Sequence, residues 1–276
     1  MSFQFQRRYT GRLQAVILDW AGTTVDYGCC APVAALVETL QRRGIELEHG
    51  EARSSLNMGK YDHLSALAQT PSVIQQWQAI YGAQSSDADL EAMFYELEST
   101  LVGVVVDYAE LVPGVLELVQ YCHGRSIHIG TTTGYSRQVM VQLVSATRAQ
   151  GYEPDAIICV DDVLAGRPAP WMALQNAHYL QCYPMEALVK IGDTVADIEE
   201  GLNGGMWTIG VVASGNEVGL TLAEMEALTP QERATSLQAG YQRLYQAGAH
   251  YVVDTIADVL PLLEAIEARL RQGERP

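Results

Sequence analysis

Leu13-Gln14-Ala15-Val16-Ile17-Leu18-Asp19-Trp20-Ala21-Gly22-Thr23-Thr24-Val25-Asp26 is the stretch whose reading decides the fold. Its first half is a short apolar run without helical periodicity, the pattern of a strand buried on both faces. The run stops at a carboxylate followed by Gly and two Thr, so Asp19 falls at the carboxyl end of a central strand, where open α/β sheets bind ligands. A carboxylate there can ligate a hard cation, act as a base or attack an electrophile. It can equally cap a turn, and this stretch alone leaves both readings open.

Downstream of Asp26 the pattern changes. Residues 31–106 read as helical with no convincing strand: Pro32 can start a helix through Val33, Leu36, Val37 and Leu40 to a stop at Gly44, and helices are expected over 60–68, 72–81 and 88–105. From Pro113-Gly114 onward strand and helix alternate. Expected strands at 127–130, 156–160 and 187–191 end respectively in Thr131-Thr132-Thr133-Gly134-Tyr135, in Asp161-Asp162, and in Gly192-Asp193-Thr194-Val195-Ala196-Asp197. Strands at 207–212 and 251–253 complete the series, helices over 217–248 pack outside the sheet, and the tail 272–276 is expected to be mobile. Such alternation predicts an α/β fold, a Rossmann-like parallel-sheet core (residues 1–27 and 108–276) with an inserted all-helical cap domain (residues 28–107). The polar clusters then gather at one edge of the sheet.

At 276 residues, with 48% hydrophobic and 18% charged residues, the chain is long enough for a full core plus a subdomain. Its 17 Lys+Arg against 33 Asp+Glu, a net charge of -16, argue against a nucleic-acid binder and require any phosphate site to be locally cationic. No apolar run reaches the roughly 18 residues of a membrane span, and the polar start lacks the core of a signal peptide, so a cytoplasmic protein is expected. Five cysteines with no CxxC spacing suggest neither a disulfide framework nor a zinc site. There is no GxxxxGK[ST], and no GxGxxG follows the first strand.

Asp193 and Asp197, at i and i+4, share one helix face. Alone, such a pair complements a helix dipole; with Asp19 it makes an oxygen-rich pocket suited to Mg²⁺. Thr133 before Gly134 offers a hydroxyl and backbone amides to a phosphoryl oxygen, or else a helix N-cap. Arg167 lies in a Gly/Pro-rich loop where arginines are commonly solvated, yet an acidic chain needs such a fork at a phosphate site. By themselves Lys60 and His63 read as surface residues, and Cys29 and Tyr135 as packing groups.

The string from Asp19 to Thr24 resembles motif I of the haloacid dehalogenase superfamily, and its continuation Val25-Asp26-Tyr27-Gly28-Cys29 looks like the phosphonoacetaldehyde hydrolase branch. Gly205-Met206-Trp207-Thr208 and Ser214-Gly215-Asn216-Glu217-Val218-Gly219-Leu220-Thr221 extend the resemblance over nearly the whole chain. The resemblance implies that Asp19 is a nucleophile toward phosphorus, and that Mg²⁺ is bound by Asp19, Asp193 and the backbone carbonyl of Ala21, with Asp197 as the supporting acid. It also implies that Thr133, Gly134 and Arg167 hold the phosphonate, that Lys60 forms a Schiff base with the aldehyde, that His63 is a catalytic residue helping to move protons beside it, and that Cys29 and Tyr135 line the pocket. The implied activity is hydrolysis of the C–P bond of phosphonoacetaldehyde to acetaldehyde and phosphate, in a homodimer built through the cap.

Ala21 stands where the phosphatases of the superfamily usually carry a second aspartate that protonates a leaving oxygen. A leaving carbon has no use for it, so the missing acid and the extra lysine point to the same reaction. Ser55-Leu56-Asn57, however, replaces the Pro-Met-Gly common in the branch, which keeps open an O-phosphomonoesterase or another phosphoryl-transfer enzyme of the superfamily. A phospho-acceptor signalling module is disfavoured by the helical insert.

Overall fold

Strand β1 (Ala15–Leu18) is buried at every position because it pairs in parallel on both sides, with β2 (His128–Thr133) and β4 (Leu188–Gly192), in this computed structural model, which describes residues 8–47, 49–53 and 60–276. With β3 (Ala156–Cys159), β5 (Trp207–Val211) and β6 (Tyr251–Val253) these form one six-stranded parallel sheet ordered β3-β2-β1-β4-β5-β6. The order reverses at β1, so β1 and its neighbours open at the topological switch point.

Between β1 and β2 the chain forms α1 (Cys30–Gln41), α2 (His49–Arg53), α3 (Lys60–Ala68), α4 (Pro71–Tyr81) and α5 (Asp87–Val104). Their ends carry local signals. Asp26 accepts hydrogen bonds from the amides of Cys30 (2.8 Å) and Ala31 (2.9 Å) at the start of α1, Pro71 opens α4, and Ser86 and Asp89 form a capping box on α5. Leu36 and Leu40 of α1 and Met93, Leu97 and Leu101 of α5 are buried in one hydrophobic cluster, the apolar stripe expected of amphipathic helices. The five-residue α2 has too few turns for periodicity to reveal it. Where the chain enters and leaves this helical segment the two passages run side by side: the Asp26 amide bonds Glu110 O (3.2 Å) and the Val112 amide bonds Thr24 O (3.0 Å).

The remaining helices are α6 (Val115–Gly124), α7 (Arg137–Arg148), α8 (Trp171–Tyr179), α9 (Val195–Asn203), α10 (Leu222–Ala227), α11 (Pro230–Gln246) and α12 (Leu260–Arg271). The largest difference from the expected strand bounds is at the end of β2. β2 runs on through Thr131, Thr132 and Thr133, because these residues pair in register with Ile157, Ile158 and Cys159 and are buried. β-branched threonines suit such a strand. The tail beyond α12 is tied back by amide bonds from Gln272 (3.0 Å) and Glu274 (3.1 Å) to Arg269 O. No helix among the described residues is long and apolar enough to cross a membrane.

Candidate active site

Asp19 leaves β1 with its amide bonded to Ile191 O of β4 (3.0 Å), and the chain then turns tightly. Trp20 O accepts the amides of Thr23 (3.1 Å), Thr24 (2.8 Å) and Val25 (3.0 Å), while the Thr24 hydroxyl donates to Asp19 O (2.9 Å). The turn needs glycine at 22. Its φ is +81°, and a Cβ there would lie 2.4 Å from Cys29 Sγ and 2.7 Å from Asp193 Oδ2.

Carboxylate oxygens of Asp19, Asp193 and Asp197 all lie within 4.8 Å of one another, and all three residues are buried. Asp193 accepts from the Thr23 hydroxyl (3.0 Å), the Asn216 amide (2.9 Å) and the Cys29 thiol (3.6 Å). Burial, reinforced by the charges of Asp19 and Asp197, pushes its carboxyl well above the ordinary range. Burial also raises Asp19, against the opposing pull of Arg167. For Asp197 burial is outweighed by Arg167 and Lys190, which hold it below the usual carboxylate range. Asp197 is also the capping-box residue of α9: its Oδ2 accepts from the Thr194 hydroxyl (2.6 Å) and its Oδ1 faces Arg167 and Lys190. Asp197 is thus engaged by both cations, whereas among the described residues the Asp19 side chain is engaged only through Oδ1, leaving its other oxygen with capacity for a hard cation beside Asp193.

The cationic side of the site is more elaborate than the sequence suggested. Arg167, in the loop between β3 and α8, reaches Asp19 Oδ1 with Nη2 (2.6 Å), Asp197 Oδ1 with Nη1 (2.9 Å) and Glu200 Oε2 with Nε (3.1 Å). Nη2 also donates to Thr132 O (2.7 Å) and Thr132 Oγ1 (2.8 Å). Behind it, Lys190 Nζ contacts Thr132 Oγ1 (2.7 Å), Asp197 Oδ1 (2.8 Å) and Glu200 Oε2 (3.1 Å). Four carboxylates (Asp19, Asp193, Asp197, Glu200) thus face two cations (Arg167, Lys190), leaving two formal negative charges unmatched. That excess, and a donor set made only of oxygen, fit one hard divalent ion such as Mg²⁺.

Thr133 ends β2 with its hydroxyl oxygen accepting the Tyr135 amide (3.0 Å), so its own proton remains available to a ligand. At Gly134 an added Cβ would meet nothing within 4 Å, so the backbone beside Thr133 faces open space. Tyr135 is buried, its hydroxyl without a hydrogen-bond partner among the described residues. Over its ring, 5.6 Å from the centroid, stands Nζ of Lys60, the first residue of α3. Lys60 is ion-paired to Glu98 of α5, both side chains keeping about a quarter of their surface exposed (25% and 23%). His63 is buried one turn further along α3. Cys29 sits beside the carboxylate cluster, against Asp193, where burial and that carboxylate push its thiol well up and keep it protonated. Ser55-Leu56-Asn57 lies outside the described residues.

The structure therefore gathers Asp19, Asp193, Asp197 and Arg167 into one cluster, ties Thr133 to Tyr135, and brings Lys60 to that tyrosine. Sequence reasoning missed Lys190, Glu200, Thr132 and Glu98. Lys190 did leave a signal, a lone charge in an otherwise apolar strand, and Glu200 lies one turn beyond Asp197 on α9. Glu98 left none, being one of several acids on a long helix.

Residues 13–205 match the family model of haloacid dehalogenase-like hydrolases. Two proteins of Syntrophobacter fumaroxidans, a phosphonoacetaldehyde hydrolase and a phosphonoacetaldehyde hydrolase-like protein, are each 44% identical over 274 residues, covering 99% of this chain and 99% of theirs. A crystal structure of a phosphonoacetaldehyde hydrolase-like protein from Oleispira antarctica superposes with a TM-score of 0.92 at 36% identity, over 100% of both chains.

Proposed function

As the chain belongs to the haloacid dehalogenase-like hydrolases, and within them to the phosphonoacetaldehyde hydrolase family, we propose that it hydrolyses the C–P bond of phosphonoacetaldehyde to acetaldehyde and inorganic phosphate. The observation that carries this reading is the chain of contacts from phosphoryl site to amine: Thr133 bonds the Tyr135 amide, and the ring of Tyr135 lies under the Lys60 ammonium. A phosphoryl-transfer site needs no amine there. A carbon leaving group does.

In this reading Lys60 condenses with the aldehyde, losing water and forming a protonated imine. Asp19 attacks phosphorus, the C–P bonding pair moves into the imine to give an enamine, and the phosphoryl group passes to the Asp19 carboxylate. Arg167 and the Thr133 hydroxyl hold the phosphoryl oxygens, with the Gly134 backbone leaving room for them. Mg²⁺ held by Asp19, Asp193 and the Ala21 carbonyl would supply the charge neutralisation that brings an anionic phosphonate to an anionic nucleophile. Protonation of the enamine and hydrolysis of the imine release acetaldehyde, and water cleaves the aspartyl phosphate. His63, Tyr135 and Cys29 line the space, with His63 able to move protons beside Lys60.

The proposal extends to a core of residues 1–27 and 108–276 capped by residues 28–107, and to a homodimer formed through that cap, supported by the exposed Tyr61, Ile80, Tyr81 and Tyr95 on its helices. A cytoplasmic setting is supported by five free cysteines.

The deciding experiment incubates the protein with phosphonoacetaldehyde and Mg²⁺, adds borohydride during turnover, and maps the adduct. Acetaldehyde and phosphate appearing together, with a reduced two-carbon unit or its phosphonate precursor on Lys60, is the expected result. Release of phosphate from O-phosphomonoesters without any lysine adduct would overturn the reading in favour of the O-phosphatase alternative.

A further inference from the structure

Lys190 lies in the middle of β4, its side chain fully buried, and no step of the proposed reaction uses it. An ammonium in that position is costly unless it is paired, and the fold makes specific room for this one. At Gly201 of α9 a Cβ would stand 2.8 Å from Lys190 Cβ and 2.5 Å from Thr208 Cγ2, so the helix passes over the lysine only because residue 201 has no side chain.

What Lys190 touches is informative. Its Nζ contacts three oxygens: Thr132 Oγ1 at 2.7 Å, Asp197 Oδ1 at 2.8 Å and Glu200 Oε2 at 3.1 Å. Arg167 uses the same three atoms: Thr132 Oγ1 at 2.8 Å, Asp197 Oδ1 at 2.9 Å and Glu200 Oε2 at 3.1 Å. The Thr132 hydroxyl gives its single proton to Glu200 Oε2 (2.9 Å), which leaves its lone pairs for the two cations. Two cations are therefore clamped across three shared oxygens drawn from β2 and α9. Lys190 occupies the closed side. Arg167, on the open side, turns Nη2 toward Asp19.

We propose that Lys190 is a positioning residue for Arg167: it holds the three oxygens that orient the guanidinium and offsets their negative charge, so that the charge of Arg167 remains available to a phosphoryl group at Asp19. Without Lys190, Asp197 and Glu200 would face a single guanidinium. Their pull would draw it inward and cancel its charge. The inference rests on the phosphoryl-transfer reading of the Asp19 site, and it is independent of which phosphorylated or phosphonylated compound is the substrate.

The test titrates inorganic phosphate into the full-length, Mg²⁺-supplemented protein by calorimetry, comparing wild type with Lys190→Met, the double variant Lys190→Met/Glu200→Gln, and Thr132→Val. Lys190→Met should weaken phosphate binding about tenfold or more, and the double variant, which removes one charge of each sign, should recover to within about threefold of wild type. Thr132→Val keeps the β-branched shape of the strand and loses one shared oxygen, so it should weaken binding about threefold or more. A merely structural ion pair would lower the melting midpoint of Lys190→Met and leave the phosphate affinity of the folded protein unchanged.

If Lys190→Met fails to fold, the double variant and Thr132→Val carry the comparison. Wild-type phosphate affinity in Lys190→Met or in Thr132→Val, or a double variant no better than the single one, would overturn the inference while leaving the phosphoryl-transfer reading intact. Absence of phosphate binding by the wild type would overturn both.

Discussion

The two cationic centres of the site are held in opposite ways. Arg167 is fixed by Asp19, Asp197, Glu200 and two oxygens of Thr132, and a second buried cation stands behind it. Lys60, on the helical side, has among the described residues a single carboxylate, Glu98, and the face of one aromatic ring, with part of its side chain open to solvent. The difference matches the chemistry proposed for each. A group that stabilises charge on a transferring phosphoryl works best when it need not reorganise, whereas an amine that must form and break a covalent bond has to exchange partners. Arg167 is thus held by many contacts at the strand ends, and Lys60 by few among the described residues.

The largest expected effect tests the strand-end centre. Asp19→Asn removes the proposed nucleophile in a nearly isosteric way, and phosphate release should fall by about 10⁴-fold or more with the circular dichroism spectrum unchanged. Near-normal turnover by this variant would remove Asp19 from the mechanism. Next is the unmatched charge around Asp19 and Asp193. Chelation should abolish phosphate release, added Mg²⁺ should restore it, and Mg²⁺ at about 100 times its Kd should stabilise the folded chain by about 2.7 kcal/mol in a denaturation curve. A denaturation curve unmoved by Mg²⁺ would contradict this, whatever the activity shows.

The Lys60 centre is separated from the Arg167 centre by Lys60→Arg, which keeps the positive charge and loses the nucleophilic amine. C–P cleavage should drop about a thousandfold, while phosphate affinity stays within about threefold of wild type because Arg167 and its partners are untouched. Equal losses in both measurements would mean that the two centres are not independent, and the contrast drawn between them would fail.

The smallest expected effect lies where the chain crosses between the two halves. Asp26 caps α1 from a buried position, and burial raises its carboxyl from 3.8 to about 6 against the opposing amide hydrogen bonds. A raised pKa means that the folded state holds the proton more tightly. The contribution of Asp26 to stability is then complete below pH 3.8 and is lost as pH rises through about 6, amounting to at most about 3 kcal/mol. Urea midpoints at pH 4.5 and 7.5 should therefore fall further for wild type than for Asp26→Asn, whose side chain does not titrate. Parallel midpoints for the two proteins would show that Asp26 is not perturbed by folding.

Much of this site is legible in the sequence. Asp19 and Asp193 each directly follow a strand, and apolar runs that stop at polar residues mark those positions, whereas Thr133 closes a strand that continues through threonines and Arg167 lies in the loop beyond β3. Lys190 escaped for the converse reason: it lies inside a strand whose other residues are apolar or Gly, and a period-two pattern assigns a face to such a residue without saying what lies across it. Thr132 was hidden in a run of three threonines. Only its register opposite Ile158, with its neighbours in the strand, shows that alternate hydroxyls serve different partners.

By itself the sequence determined the alternation of elements, the strand-end positions of Asp19 and Asp193, and the place of Lys60 at the head of a helix, because these depend on backbone geometry and side-chain direction within a few residues. Only the tertiary structure decided which charges meet. Arg167 and Asp19 are 148 positions apart, Lys190 and Thr132 58, and Lys60 and Glu98 38. Their contacts depend on strand order and on how the crossover helices pack, and on small residues such as Gly201 that set how closely two elements approach. Local periodicity carries no record of those distances, so the ion cluster beneath Arg167 exists only once the sheet has been assembled.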